Sequence, residues 1–182
     1  MSELERFLPA DQELLVSLFY RIGQWMSQAD DTDAGEDSEQ IEEAQMFKIL
    51  NKLAQSKNAG LLCSEIATEA LRQKGSWDRW SKQIDSVLDD VSRAKHLIKG
   101  QSNQQEFVAF GKSLVTIATA VARAYREAED SEQDEEKGFL GWLSEKKDHA
   151  VLALTDAEAH KDLNISPAED SALTELVMTL KG

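Results

Sequence analysis

Hydrophobic residues recur along this chain at the spacing of amphipathic helices. The clearest stripe lies in residues 10–29, where apolar side chains follow one another at intervals of three and four positions. That spacing places them on one face of an α-helix, and Pro9 stands where a helix entry tolerates proline. The same pattern predicts a second helix through residues 44–53 and a third through residues 61–71, separated by a break at residues 58–60.

The rest of the chain continues the helical pattern. Residues 76–100 carry apolar positions at helical spacing and predict one helix that begins near Ser76 and ends at Gly100. Residues 107–125 are small or apolar on most faces, so we expect the central helix of the core there, with Gly111 permitting close approach of a neighbour. Shorter apolar groups at residues 139–143 and 151–154 predict two further helices. A last helix opens with Ser166, Pro167 and Glu169, which together predict a capping box.

Composition agrees with a helical protein. The chain has 182 residues with only two prolines and nine glycines, which leaves few turn residues for a sheet protein. Hydrophobic residues make up 41% and charged residues 30%, which is typical of globular proteins and is enough to form a buried core. We therefore predict an all-α fold, a single domain over residues 1–182 built as a bundle of about seven to eight helices.

The pentapeptide EDSEQ occurs twice, at residues 36–40 and 129–133. Apolar positions upstream of the two copies align at an offset of 96 residues, and the downstream residues align at an offset of 93. This alignment predicts an internal pseudo-duplication, two units of helix, acidic turn and helix at about residues 10–56 and 106–147. Capping chemistry offers a second explanation, because acidic residues and serine are favoured at helix N-termini wherever they occur.

The net charge of −14 narrows the range of partners. It argues against binding a nucleic-acid backbone or an anionic lipid surface, and it suits a cation, a basic partner protein or solubility alone. The single Cys63 cannot form an internal disulfide, which favours a reducing, cytoplasmic setting. The first residues have no basic region before an apolar run, so we expect no signal peptide, and no apolar run is long enough to predict insertion into a membrane.

The local motifs that resemble catalytic or cofactor-binding sites lack the spacing or the structural context that such sites require. The acidic loop places Asp31, Asp33 and Glu42 at positions one, three and twelve of a calcium loop, but its glycine is at position five instead of six. The three residues from Gly111 resemble the end of a P-loop within a predicted helix, which is the wrong context. We therefore expect no catalytic residue and no organic cofactor. Trp77 and Trp80 share one helix face, and they fit either core packing or an exposed patch for a partner.

The last turn carries a family resemblance. The sequence AHKDLNISPAE at residues 159–169 resembles the A-x-x-D-G-x-I-S-x-x-E turn of the TerB-like family, the tellurite-resistance helical module. Glu129 and Glu136 keep the seven-residue spacing that separates Asp162 from Glu169, and residues 29–31 repeat the opening of the motif before a longer loop. The family glycine is missing in two of the three turns.

This resemblance implies an all-helical module of about seven helices, without catalysis, that acts in stress-response assemblies near the membrane. It also implies that acidic residues at the turns are candidate ligands of a divalent cation such as calcium. In this chain those candidates are Asp30, Asp31, Asp33, Glu129, Glu136, Asp162 and Glu169. The predicted function is a cytoplasmic, non-enzymatic module that binds a protein partner. The alternatives are an acidic decoy or inhibitor of a basic protein and a metal-dependent enzyme whose residues meet only in space.

Overall fold

The computed structural model describes residues 2–29, 36–130 and 166–182, and their side chains except at positions 36–42 and 124–130. Within those residues the chain forms seven α-helices and no strand, which confirms the all-α prediction. The helices are α1 (Pro9–Ala29), α2 (Glu36–Gln55), α3 (Leu61–Arg72), α4 (Trp77–Ser81), α5 (Val87–Gln101), α6 (Gln104–Asp130) and α7 (Pro167–Lys181). Short 3-10 helices at Leu4–Arg6 and Lys74–Ser76 precede α1 and α4.

Helices α1 and α5 run antiparallel along one side of the bundle. Arg21, in the second half of α1, reaches Asp90 near the start of α5 at 2.8 Å. Arg6, just before α1, donates to Ser102 just after α5, also at 2.8 Å. The seam between these two helices therefore spans the length of α5, and it holds the groove described below.

The predicted central helix is the core of the bundle. Ala118 and Ala122 of α6 are fully shielded from solvent, as are Leu114 and Ile117. Phe19 of α1 meets Phe110 of α6 with ring centroids 5.8 Å apart. Small residues on α6 let neighbouring helices bury their larger side chains against it, because a packed interior leaves few voids.

The close approach of two helices occurs at a different glycine from the one that the sequence suggested. A Cβ atom added to Gly111 would lie 3.8 Å from Leu180, which is ordinary van der Waals contact. A Cβ atom added to Gly23 would lie 2.2 Å from the sulfur of Met46 and 3.4 Å from Val121. The structure thus shows no close approach at Gly111, contrary to the prediction, whereas a side chain at Gly23 would have to displace the end of Met46.

The single helix predicted for residues 76–100 is divided into α4 and α5. The Val87 N–H donates to the Ile84 carbonyl at 3.0 Å, and the Gln83 carbonyl accepts from the Nε of Arg21 at 2.9 Å. In a continuous helix the Gln83 carbonyl would accept from Val87 instead. A side chain on α1 therefore binds the backbone group that continuation of the helix requires.

Both tryptophans of α4 are buried, so the interpretation as an exposed partner-binding patch was wrong. Trp77 is 3% exposed and Trp80 is fully covered. Tyr20 stacks on Trp77 with centroids 4.6 Å apart. The indole N–H of Trp77 donates to the Ala70 carbonyl and that of Trp80 to Glu13, each at 3.0 Å, which satisfies both buried donors.

The first EDSEQ copy is helical rather than part of the preceding loop, because α2 already begins at Glu36. Acidic residues favour the positive end of the helix dipole, which explains why they open the helix. Glu129 and Asp130 of the second copy are the last residues of α6. The pseudo-duplication stays a prediction, since residues 131–147 lie outside the described part of the chain. None of the helices described is long and apolar enough to cross a lipid bilayer.

Candidate functional site

Most of the predicted cation ligands fall outside the side chains that the structure describes. These are Asp30, Asp31, Asp33, Glu129, Glu136 and Asp162. The exception is Glu169, in the first turn of α7. Among the described residues, no three side chains of histidine, cysteine, aspartate or glutamate are placed to hold a metal ion together. The cation site therefore stays a prediction.

Glu169 serves as a helix cap. Its Oε2 accepts from the Ser166 N–H at 2.9 Å, and its own N–H donates to the Ser166 hydroxyl at 3.2 Å. With Pro167 as the first helical residue, this is the capping box that the sequence predicted. Glu169 is only 2% exposed, and its two hydrogen bonds with Ser166 hold its side chain at the N-terminus of α7.

A groove of about 480 Å³ lies on the seam between α1 and α5. It is open to solvent along its length. Two partly buried leucines that pack against the core provide its apolar surface, and polar side chains border it. The lining residues are Asp11 and Leu14 of α1 and Ser92, Arg93, His96 and Leu97 of α5.

The two sides of the groove differ in chemistry. The first turn of α1 contributes the Asp11 carboxylate. The α5 side contributes the Arg93 guanidinium, whose side chain is 69% exposed, and the His96 imidazole. The Nδ1 of His96 lies 2.7 Å from the Ser92 carbonyl, which can only accept, so Nδ1 carries the hydrogen and Nε2 is the nitrogen left for other partners. An acidic side therefore faces a side that carries a cation.

A buried ion pair holds α5 against α1 beneath this seam. Arg21 is 3% exposed and donates to the Ser86 hydroxyl at 2.9 Å and to Asp90 Oδ2 at 2.8 Å. Arg93 donates to the other carboxylate oxygen of Asp90 at 2.9 Å. Burial alone would raise the pKa of Asp90, but the hydrogen bonds from Arg21, Ser86 and Arg93 outweigh it and hold this pKa below its ordinary range. The carboxylate is therefore charged at neutral pH and fixes the position of Arg93 at the groove.

The one cysteine is not placed for chemistry. Cys63 of α3 is buried and forms no disulfide. Burial raises the pKa of its thiol to about 11, although a hydrogen bond with Ser113 acts in the opposite direction. A thiol with so high a pKa is almost wholly protonated near neutral pH, and a protonated thiol is a poor nucleophile.

The groove can hold side chains of another molecule, but its shape is unlike an enclosed pocket for a small ligand. Small-molecule sites cover most of the ligand surface, whereas an open seam between two helices leaves one side of any occupant in water. Sequence reasoning missed the groove because its residues come from two helices: Leu14 and Leu97 belong to their apolar stripes, and the four polar residues look like ordinary surface positions. Only the packing of α5 on α1 brings them together.

Comparisons with known proteins leave the groove as the main guide to function. No family model, no curated protein and no solved structure matches this chain.

Proposed function

We propose that this chain is a non-enzymatic, cytoplasmic helical module that binds a protein partner through the groove between α1 and α5. The observation that carries the proposal is the groove itself, an open depression in which Leu14 and Leu97 lie beside polar and charged side chains from both helices. Protein interfaces combine an apolar centre with a polar rim in this way. A partner's side chains would cover the two leucines and leave the charged groups at the edge.

Two sequence features support this proposal. The net charge of −14 disfavours a nucleic acid as the partner, because the phosphate backbone carries the same sign. The resemblance of residues 159–169 to the TerB-like turn favours a non-catalytic module in a stress-response assembly. The proposal also includes a divalent cation bound at the acidic turns. Asp31 and Asp33 are the candidate ligands whose substitution tests it.

The test is partner capture by a variant whose groove is filled. Ser92 lines the groove on α5, so Ser92→Trp would place an indole where the partner should bind. Thr68→Trp is the control, because Thr68 lies in the second half of α3, has an exposed side chain and does not line the groove. Circular dichroism and thermal melts should first show that both variants keep the fold.

Wild type and the Thr68→Trp control should capture the same protein from a lysate of the source cells, and Ser92→Trp should capture at least about tenfold less of it. A loss of that size corresponds to about 1.4 kcal/mol of binding free energy. If Ser92→Trp captures every protein as well as the control does, the groove is not the binding site and the proposal fails.

A further inference from the structure

We infer that residues 2–7, which precede α1, form a strap that opens as one unit while the helix bundle stays folded. None of these residues lines the groove between α1 and α5, so the strap is independent of the proposed function. Three features point to its opening: it makes its own backbone hydrogen bonds, it buries few side chains, and its closure leaves a polar group without a partner.

The strap makes its own backbone hydrogen bonds. The Glu5 N–H donates to the Ser2 carbonyl and the Phe7 N–H to the Leu4 carbonyl, each at 3.2 Å, and these bonds belong to the short 3-10 helix. Phe7 then has an extended backbone, with φ −91° and ψ 152°, before the first turn of α1. Among the residues that the structure describes, no backbone-to-backbone hydrogen bond joins the strap to another helix. Rotation at Phe7 can therefore lift the strap without breaking a helical hydrogen bond.

Two glutamates on different helices hold the strap closed. The Oε2 atom of Glu65, on α3, accepts from the Ser2 hydroxyl at 2.6 Å and from the Leu4 N–H at 2.9 Å. Glu106, on α6, accepts from Nη2 of Arg6 at 2.9 Å. Hydrogen bonds to a charged group are stronger than neutral ones, so these two carboxylates provide much of the polar attachment of the strap to the bundle.

The strap contributes little to the core. Leu4 and Phe7 are its buried residues, at 7% and 2% exposure, and its other four residues are partly or fully exposed. Opening the strap exposes these two side chains and the surface beneath them, whereas unfolding of the bundle exposes the whole core. The cost of an opening increases with the apolar area that it exposes to water, so the strap should open far more often than the bundle unfolds.

Closure of the strap leaves one of its own polar groups unsatisfied. The Nε of Arg6 is buried without a hydrogen-bond partner, and among the described residues it is the only side-chain nitrogen or oxygen in that condition. A buried N–H without an acceptor costs free energy, because it has lost its hydrogen bonds to water. In the open strap this nitrogen is hydrated again, so the closed strap has a cost that the open strap lacks.

Hydrogen exchange at single amides, followed by NMR on the full chain, tests whether the strap opens by itself. The Phe7 N–H reports on the strap, and the N–H of Ala118 in α6 reports on the bundle. The variant is Glu65→Ala, which removes one of the two holding carboxylates. The control is Glu69→Ala, one turn further along α3, whose carboxylate binds Arg72 instead. The Phe7 N–H donates within the strap, so its response to Glu65→Ala shows whether the strap moves as a unit.

In wild type the Phe7 N–H should be less protected than the Ala118 N–H, and low concentrations of urea should accelerate its exchange less, since the opening exposes less surface. Glu65→Ala should accelerate exchange at Phe7 at least about tenfold, and the control should keep the wild-type rate there. Equal protection and equal urea dependence at the two amides would show that the strap opens only when the bundle unfolds, which overturns the inference. An unchanged Phe7 rate in Glu65→Ala would overturn it as well.

Discussion

Replacing Arg21 with methionine tests the ion pair that holds α5 against α1. The Arg21 side chain is 3% exposed, and it donates to Gln83, Ser86 and Asp90, so the substitution removes one donor from each of these acceptors, while Asp90 keeps the hydrogen bonds from Ser86 and Arg93. Methionine has a similar length and can fill much of the volume. The expected loss therefore comes from the unpaired polar groups more than from a cavity.

The size of the loss follows from burial. Removing one partner of a buried ion pair costs about 3–5 kcal/mol, because the other charge is left without compensation. Arg93 still pairs with Asp90, so we expect the lower end of this range, about 3 kcal/mol. Urea unfolding followed by circular dichroism measures it, and the partner-capture assay shows whether the groove is lost as well.

Arg93→Met is the matched control, since it removes the other guanidinium from the same carboxylate. The Arg93 side chain is 69% exposed, and exposed ion pairs contribute about 0–1 kcal/mol. The two variants thus compare the same acid with a buried and an exposed partner. Equal losses of unfolding free energy in the two variants would refute the argument that burial makes the Arg21 ion pair the stronger one.

The pH dependence of the Arg21→Met variant provides an independent check. The pKa of Asp90 in the folded protein lies below its ordinary value of 3.8. A lowered pKa stabilises the fold above the unfolded-state value, and this contribution is lost as the pH falls through the folded-state value. The difference in unfolding free energy between wild type and Arg21→Met should therefore shrink below about pH 4. A difference that stays constant down to pH 2 would contradict this account.

Three further predictions follow from packing, burial and charge. Gly23→Ala should lower the free energy of unfolding by about 1–3 kcal/mol through overpacking, although alanine has the higher helix propensity. The same substitution should cost much less in a Met46→Ala background, and additive losses in the double variant would contradict the contact. Cys63 should react with a thiol reagent at pH 8 only after denaturation, because burial raises its pKa to about 11, and rapid labelling of the native protein would refute this. Millimolar calcium should raise the Tm more than sodium chloride at equal ionic strength, and Asp31→Asn with Asp33→Asn should abolish the difference; equal shifts from both salts would exclude a site in that loop.

Elements governed by local sequence were predicted well. The stripe in residues 10–29 gave a helix that the structure places at Pro9–Ala29, and the third stripe corresponds to Leu61–Arg72. The capping box at Ser166 and Glu169 is present with both of its hydrogen bonds. These features depend on residues three or four positions apart, so their spacing in the sequence contains most of the information.

The errors lie where distant residues compete with local ones. Periodicity continues through residues 76–100, but the helix is interrupted between Ser81 and Val87, where Arg21 binds the Gln83 carbonyl. The tight contact at Gly23 was not predicted, because it involves Met46 on another helix. No local pattern distinguishes these cases, since each depends on which side chain arrives from elsewhere in the fold.

The sequence by itself determined that this protein is helical, acidic and capped at its last helix, because backbone hydrogen bonding, net charge and capping depend on residue type and short spacing. Only the tertiary structure decided that the α4 tryptophans are buried and that Asp11, Arg93 and His96 share one groove. Asp11 lies more than 80 positions before the other two in the sequence. They meet because the buried Arg21 and Asp90 hold two antiparallel helices together, and that pairing follows from packing and desolvation.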